Sequence, residues 1–376
     1  SSKMMCPFPS FLLEMFTYAE IFRSRDNTFI RNYGYHSASI VRVKQVDTII
    51  EKQNHYINNG VNDNGGTLHM DTFNYFYVYN CSYLNNFSKG NGGSLYLSNG
   101  HDIFIAFTTF ENNSAKSGGA VFVRCRSNRA FGGGMISLKI TLSINSKIFF
   151  VNSSFYNNTG WGLGGAFAVQ GPLDLYYISC ILLENRAKSG GVIGGASIDN
   201  LFIADSHFIN NMASSVGGAL YINQLCDIKV KNSYFMANSA RVQGGCICIV
   251  RVVNFFMSNC SIQKSISEKG GAIFLKEGEF VHLHMCDLKL SRAKQGGFIS
   301  AYEAQKLLFV EISFFNCSSM FSGGVLHLIE CDKVVIIFCI FINNLARKSG
   351  GAIYIHHSNT IGFIDSFLFD SIANHD

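Results

Sequence analysis

Proline is almost missing, at three residues in 376. That excludes proline-fixed turns as the general solution, so 36 glycines and abundant asparagine must make them. Charge is scarce as well: Asp, Glu, Lys and Arg make up 15% of the chain, and the net charge is +5. No block of Lys and Arg is present, which excludes an extended nucleic-acid face. No uninterrupted apolar stretch reaches about 18 residues, which excludes a membrane-spanning helix in this sequence. The opening SSKMMCPFPS lacks the basic-then-apolar order of a secretory leader and reads as a mature or trimmed N-terminus. Apolar residues are plentiful, at 48%, ample for a large core.

One pattern recurs. NNSAKSGGAVFV at residues 112–123 returns as NNTGWGLGGAFAV at 157–169, NNMASSVGGALYI at 210–222 and NNLARKSGGAIYI at 343–355. A catalytic site is written once, whereas a segment written many times is scaffold. The leading glycine of each pair falls at Gly65, Gly92, Gly118, Gly164, Gly190, Gly217, Gly244, Gly270, Gly296, Gly323 and Gly350. The spacing is 26 or 27 residues, apart from one gap of 46 that implies an inserted loop near residues 124–146. A degenerate Ser37-Ala38 pair about one period before Gly65 sets the start of the array.

After each pair, aliphatics stand at the third and fifth positions, as in Leu220 and Ile222 or Ile353 and Ile355. Period two means a strand with one face inward, and a second apolar strand follows, such as residues 335–341. Short strands, Gly and Asn turns and this period predict an all-β right-handed parallel β-helix of about twelve coils. Each coil rises about 4.8 Å, so equal positions stack. Asn113, Asn158, Asn211, Asn238 and Asn344 share one register and are expected to form an amide ladder. Phe110, Phe155, Phe208, Phe235 and Phe341 are expected to fill the interior beside it. Cys81, Cys180, Cys260, Cys286 and Cys339 share another register and read as small stacked core residues, with Cys260 and Cys286 the best placed to bond to each other. Residues 1–33 are assigned as an N-terminal cap and 34–376 as the β-helix. In residues 11–25, Phe11, Leu12, Met15, Phe16 and Ala19 have helical spacing, so a short helix is expected to cover the first coil.

The Gly-Gly-Ala-aliphatic motif at Gly118, Gly164, Gly217, Gly270 and Gly350 resembles that of the polymorphic outer membrane protein repeats. So does its Phe-x-x-Asn partner at Phe110, Phe155, Phe208, Phe235 and Phe341. The resemblance runs from about residue 64 onward. It implies a pectin-lyase-like parallel β-helix displayed at a cell surface and often adhesive. Similar arrays occur in protist surface proteins, which the Asn-, Phe- and Ile-rich composition suits.

Polysaccharide lyases and hydrolases share that fold class, but the chain has no Asp-Asp pair and no Gly-His-Gly. Glu277, Glu279, His282 and His284 form the densest acid and histidine cluster, and read as ordinary surface residues. No enzyme activity, cofactor or metal is expected, with a polysaccharide-active enzyme or carbohydrate-binding module as the alternative. Three rows offer contact surfaces instead. The position four after the leading glycine carries His69, Tyr96, Phe122, Tyr221, Phe274, His327 and Tyr354, expected to face outward as an aromatic stripe. A basic row precedes the pair: Lys89, Lys116, Lys188, Arg241, Lys269, Lys294 and Lys348. An acidic row follows the strand: Asp102, Asp174, Asp199, Asp227, Glu279, Glu303 and Asp332. Seven sequons, at Asn80, Asn86, Asn112, Asn152, Asn157, Asn259 and Asn316, would be glycosylated surface turns in a secreted chain. The expected partners are glycans, or a protein or second copy at an uncapped C-terminal coil. The expected location is extracellular or at the cell surface.

Overall fold

The computed structural model describes residues 3–4, 13–15, 19–34, 40–124, 146–170, 173–196, 198–224 and 227–373. The Ser37-Ala38 pair and residues 125–145 of the insertion lie outside them. The chain divides into two compact units, Ser1–Asp199 and Asn200–Asp376. Both are parallel β-solenoids, with about twelve turns in all. Among the described residues no helix is long and apolar enough to cross a membrane.

One coil of the second unit shows the plan. Leu220–Asn223 follows the glycine pair, then Asp227–Lys231, Tyr234–Met236 and Ser239–Ala240 lead to the next pair. Each pairs in parallel with its counterpart one period on: Leu220 with Ile247, Asp227 with Asn254, Tyr234 with Ser261, Ser239 with Ile266. In the first unit Leu68–Tyr79 likewise sits between Val46–Lys52 and Leu95–Ala106. The alternation explains the burial: Phe76 and Val78 are fully buried, while Tyr75, Tyr77 and Tyr79 between them are exposed.

Both doublets of the repeat divide two tasks. The leading glycine takes a left-handed backbone, with φ +61° at Gly270. The trailing glycine has no room for a side chain: a Cβ on Gly271 would stand 2.1 Å from the Gly297 carbonyl oxygen. In Asn-Asn, the leading Asn makes the αL turn, with φ 54° at Asn112, 49° at Asn157 and 53° at Asn343. The trailing Asn is a ladder rung. Asn158 Nδ2 donates to Asn185 Oδ1 at 2.9 Å and to the Phe110 carbonyl at 3.1 Å, and Asn158 Oδ1 accepts from the backbone N–H and Nδ2 of Asn113, both at 3.1 Å. In the second unit Asn211 Nδ2 donates to Asn238 Oδ1 at 3.0 Å, and Asn344 Oδ1 accepts the Cys317 N–H at 2.9 Å.

Aromatic rings stack beside the ladder. Tyr56, Tyr83, Phe110 and Phe155 follow one another at 4.8 to 5.0 Å, and Phe208 with Phe235 and Phe314 with Phe341 lie at 4.7 Å. The cysteine register proves to be a second polar ladder. The Cys81 N–H donates to Thr108 Oγ1 at 3.4 Å, and the Cys339 N–H to Ser366 Oγ at 3.1 Å. The Cys180 thiol donates to the Phe150 and Ile178 carbonyls at 3.3 and 3.4 Å. Thiol thus replaces hydroxyl in one stacked column. Among the described residues nine cysteines are free and buried, Cys260 and Cys286 included, and burial pushes the Cys81 thiol up to about 12.

The N-terminal helix is not formed in the described residues. Leu13–Met15 and Ala19–Arg25 are strands, paired with Val41–Lys44 and Val46–Lys52. The open edge of the next coil offers unpaired backbone groups, and satisfying them outweighs helical spacing.

These first coils enclose one buried acid. Glu51 faces inward between Ser24 and Val78 and is fully buried. Its Oε2 accepts from the Tyr56 hydroxyl at 2.8 Å and from the Asn54 amide, while Oε1 has no partner. Burial pushes its pKa up to about 7, against these hydrogen bonds. The folded state therefore keeps a proton that the unfolded chain releases near 4.5. The stability this confers is complete below that value and is lost as pH rises through about 7, on the order of 3 kcal/mol in all. Melting temperature should fall over that window, and Glu51→Gln should flatten the fall. An equally steep fall in the variant would contradict the assignment.

Candidate functional site

The row four residues after the leading glycine is stacked but covered. His69, Tyr96, Phe274 and His327 are only 2% to 8% exposed, and Tyr221 and Tyr354 are half-buried. Phe122 pairs between Tyr96 and Ala168, its side chain lying outside the described residues. The expectation of an exposed stripe is corrected, and the cover is plainest where the segment leading into the Gly164 pair lies against this position. Leu163 packs on Tyr96 and Ala168, and a Cβ on Gly194, at the same position, would come 2.9 Å from Leu163 Cβ. Burial lowers the pKa of His69 and His327 to about 4, helped by Arg42 and Lys269 respectively, so both rings are neutral. His69 lies 4.6 Å from Tyr96, and His327 stacks on Tyr354 at 5.1 Å.

The acidic row separates into three register positions. Asp227 begins the strand Asp227–Lys231, Asp174 is second in Leu173–Ile178 and Asp102 lies within Leu95–Ala106; Asp199, Glu279 and Asp332 stand one residue before Asn200, Phe280 and Lys333, and Glu303 occupies an αL bend, φ 56°. Other groups interleave and relieve like-charge repulsion. Asp102 Oδ1 accepts the Lys147 N–H at 3.2 Å, Asp227 accepts from Asn254 at 2.8 Å, and Asp332 from Asn359 at 3.0 Å. Asp174 is buried. In the basic row, Lys89, Lys116, Lys188, Arg241, Lys294 and Lys348 are exposed, and Lys269 is half-buried with its ammonium over Tyr302 at 5.2 Å. Of the sequons, Asn80, Asn112, Asn152, Asn157, Asn259 and Asn316 sit at αL turns and are exposed or half-exposed. Asn86 is a correction: it is fully buried as a ladder rung, its Nδ2 bound to the Tyr56 carbonyl at 3.0 Å.

The more exposed aromatics lie eight residues beyond the covered row, past the left-handed bends at Thr72 and Asn99 within the strands Leu68–Tyr79 and Leu95–Ala106. Tyr77 stacks in register with Phe104, Phe104 with Phe149, and Phe149 with Tyr176. Phe149 and Tyr176 are 4.4 Å apart and nearly parallel, Phe104 and Phe149 6.3 Å apart. Tyr75 and Tyr79 flank Tyr77, and these three are 41% to 45% exposed. The signal was legible in NYFYVYN at residues 74–80, where tyrosines alternate with buried Phe76 and Val78. The second unit carries a smaller cluster, with Phe256 5.4 Å from Phe280 and 5.9 Å from His282. His282 and His284 share that face, 6.0 Å apart, but His284 Nε2 approaches Glu311 at 3.9 Å while Glu277 pairs with Lys276 at 3.4 Å. Among the described residues no three His, Cys, Asp or Glu side chains converge as metal ligands. A flat aromatic platform can stack on the apolar faces of sugar rings or on protein side chains.

The fold and its surfaces define a repeat solenoid that lays out side chains coil by coil. Two stretches, residues 107–124 and 338–356, match the family model of the Chlamydia polymorphic membrane protein repeat. Each holds the Phe-x-x-Asn turn and the Gly-Gly-Ala turn of one coil. The chain therefore carries repeats of this kind, which fit a surface or adhesive module. No curated protein and no solved structure matches the chain.

Proposed function

We propose that the chain is a non-enzymatic, extracellular adhesive or structural module at a cell surface. It acts by presentation, holding aromatic side chains at coil spacing for glycan or protein partners. The observation that carries this is the in-register column of Tyr77, Phe104, Phe149 and Tyr176, with Tyr77 and Phe104 exposed and Phe149 and Tyr176 half-buried. A sheet face of this kind needs no cofactor, because stacking and desolvation supply the affinity. A further surface lies at the last coil, where Phe367, Leu368 and Phe369 are exposed. A following coil of a longer chain or a second molecule would cover it.

The test compares the full chain with a Tyr77→Ser, Phe104→Ser variant on immobilised chitin-type and β-glucan polymers and on cultured cell surfaces. The parent should be retained, and the double variant should bind about tenfold more weakly, since each ring contributes about 0.5–1.5 kcal/mol. Equal retention of both proteins would remove the face from the account. Incubation with pectin, alginate and chitin-type polymers should release no reducing or unsaturated ends. Release of either would favour the alternative, a polysaccharide-active enzyme built on the same fold class.

A further inference from the structure

The second unit holds a groove that the aromatic column does not use. It is a cleft of about 560 Å³ on the short strands that precede the glycine pairs. Its charged lining consists of Arg241, Arg292, Lys294 and Arg347 against one carboxylate, Glu268. Glu268 is already engaged: its Oε1 accepts from Lys294 Nζ at 2.8 Å, and that bond, with Arg241 nearby, holds its pKa below the usual carboxylate range. Arg292 and Arg347 are exposed and form no ion pair among the described residues. Apolar side chains stand between the cations, with Ile266 and Met320 about half exposed.

The order along the groove is regular. Arg241, Glu268, Lys294, Met320 and Arg347 succeed one another at 26 or 27 residues, one per coil. Cations therefore recur on alternate coils, about 10 Å apart at the strand spacing of a sheet. A sugar ring advances a linear polysaccharide by close to one coil's rise. An anionic group on alternate sugars would then meet each cation in turn, with ring faces over Ile266 and Met320.

We propose that this groove binds a linear acidic polysaccharide laid along the solenoid axis, with its carboxylate or sulfate groups on Arg241, Lys294 and Arg347, and Arg292 alongside. An acidic polypeptide or a nucleic acid shares the charge but not the alternation of anionic and apolar surface at coil spacing. The proposal stands on different residues from the aromatic column, so either can fail alone.

The experiment measures binding of the full chain to immobilised chondroitin sulfate, with neutral dextran, polyglutamate and single-stranded DNA as competitors. Binding is expected to weaken with salt. It should fall about tenfold in Arg292→Gln, Arg347→Gln and further in Arg292→Glu, Arg347→Glu, at unchanged melting temperature because both side chains are exposed. The Tyr77→Ser, Phe104→Ser variant should bind like the parent. No binding by the parent, equal binding by the charge variants, or stronger competition by polyglutamate or DNA would overturn the assignment.

Discussion

Gly271→Val should be severely destabilising, and soluble, cooperatively melting protein is not expected from it. Its added Cβ would stand 2.1 Å from the Gly297 oxygen and 2.8 Å from the Arg292 oxygen, both backbone atoms of the next coil. Neither can swing aside as a flexible side chain could. Relief requires the coils to part, which breaks the ladder from the Gly271 N–H to the Gly296 carbonyl, 3.0 Å, and its neighbours. The cost is several times the ~1 kcal/mol of an ordinary point mutant. Gly362→Val is the control, because a Cβ there meets nothing within 4 Å. Comparable melting of the two variants would contradict close coil contact at the glycine pair.

The second large effect is Asn158→Leu. The side chain is nearly isosteric and the site is fully buried, so the loss isolates hydrogen bonding. Leucine would leave the Asn113 N–H and the Phe110 carbonyl without their partners at 3.1 Å, in a place water cannot reach. Two orphaned buried groups cost about 1–3 kcal/mol each, so about 2–6 kcal/mol in all. Asn157→Asp is the informative neighbour. It changes the turn residue and not the rung, and Asp also tolerates positive φ, so its effect should stay under about 1 kcal/mol. If the two variants lose stability equally, the division of labour within Asn-Asn is wrong. Asn211→Leu should behave like Asn158→Leu, since Asn211 bonds Asn238 in the same way.

Much of this architecture was legible because a solenoid writes its constraints repeatedly. Eleven glycine pairs and the Asn register identify stacked coils from the sequence alone. Alternation also identified which side of a strand faces the core. It could not say what covers the other side. Tyr96 and Tyr77 both point away from the interior, yet only Tyr96 lies under the segment that holds Leu163. That cover comes from a segment placed by tertiary folding, which alternation along the strand does not encode. The acidic row failed for a related reason. Offsets counted from the glycine drift across the bend, where Glu303 takes a positive φ, so residues close in count occupy different registers. The N-terminal segment carried helical spacing, but the edge of Val46–Lys52 set its conformation. Asn86 met the glycosylation pattern only because a ladder rung happened to precede Phe87 and Ser88.

Tyr77 heads the aromatic column proposed as the presenting face, exposed with Tyr75 and Tyr79 beside it, while Tyr96 of the glycine-adjacent row is covered. Tyrosine modification of the folded full chain, read residue by residue by mass spectrometry with and without target cell surfaces, tests it directly. Tyr75, Tyr77 and Tyr79 should react fast, Tyr56, Tyr83 and Tyr96 should stay unmodified, and Tyr77 should become protected on binding. Modification of Tyr96 as fast as Tyr77, or binding that leaves Tyr77 fully reactive, would contradict it.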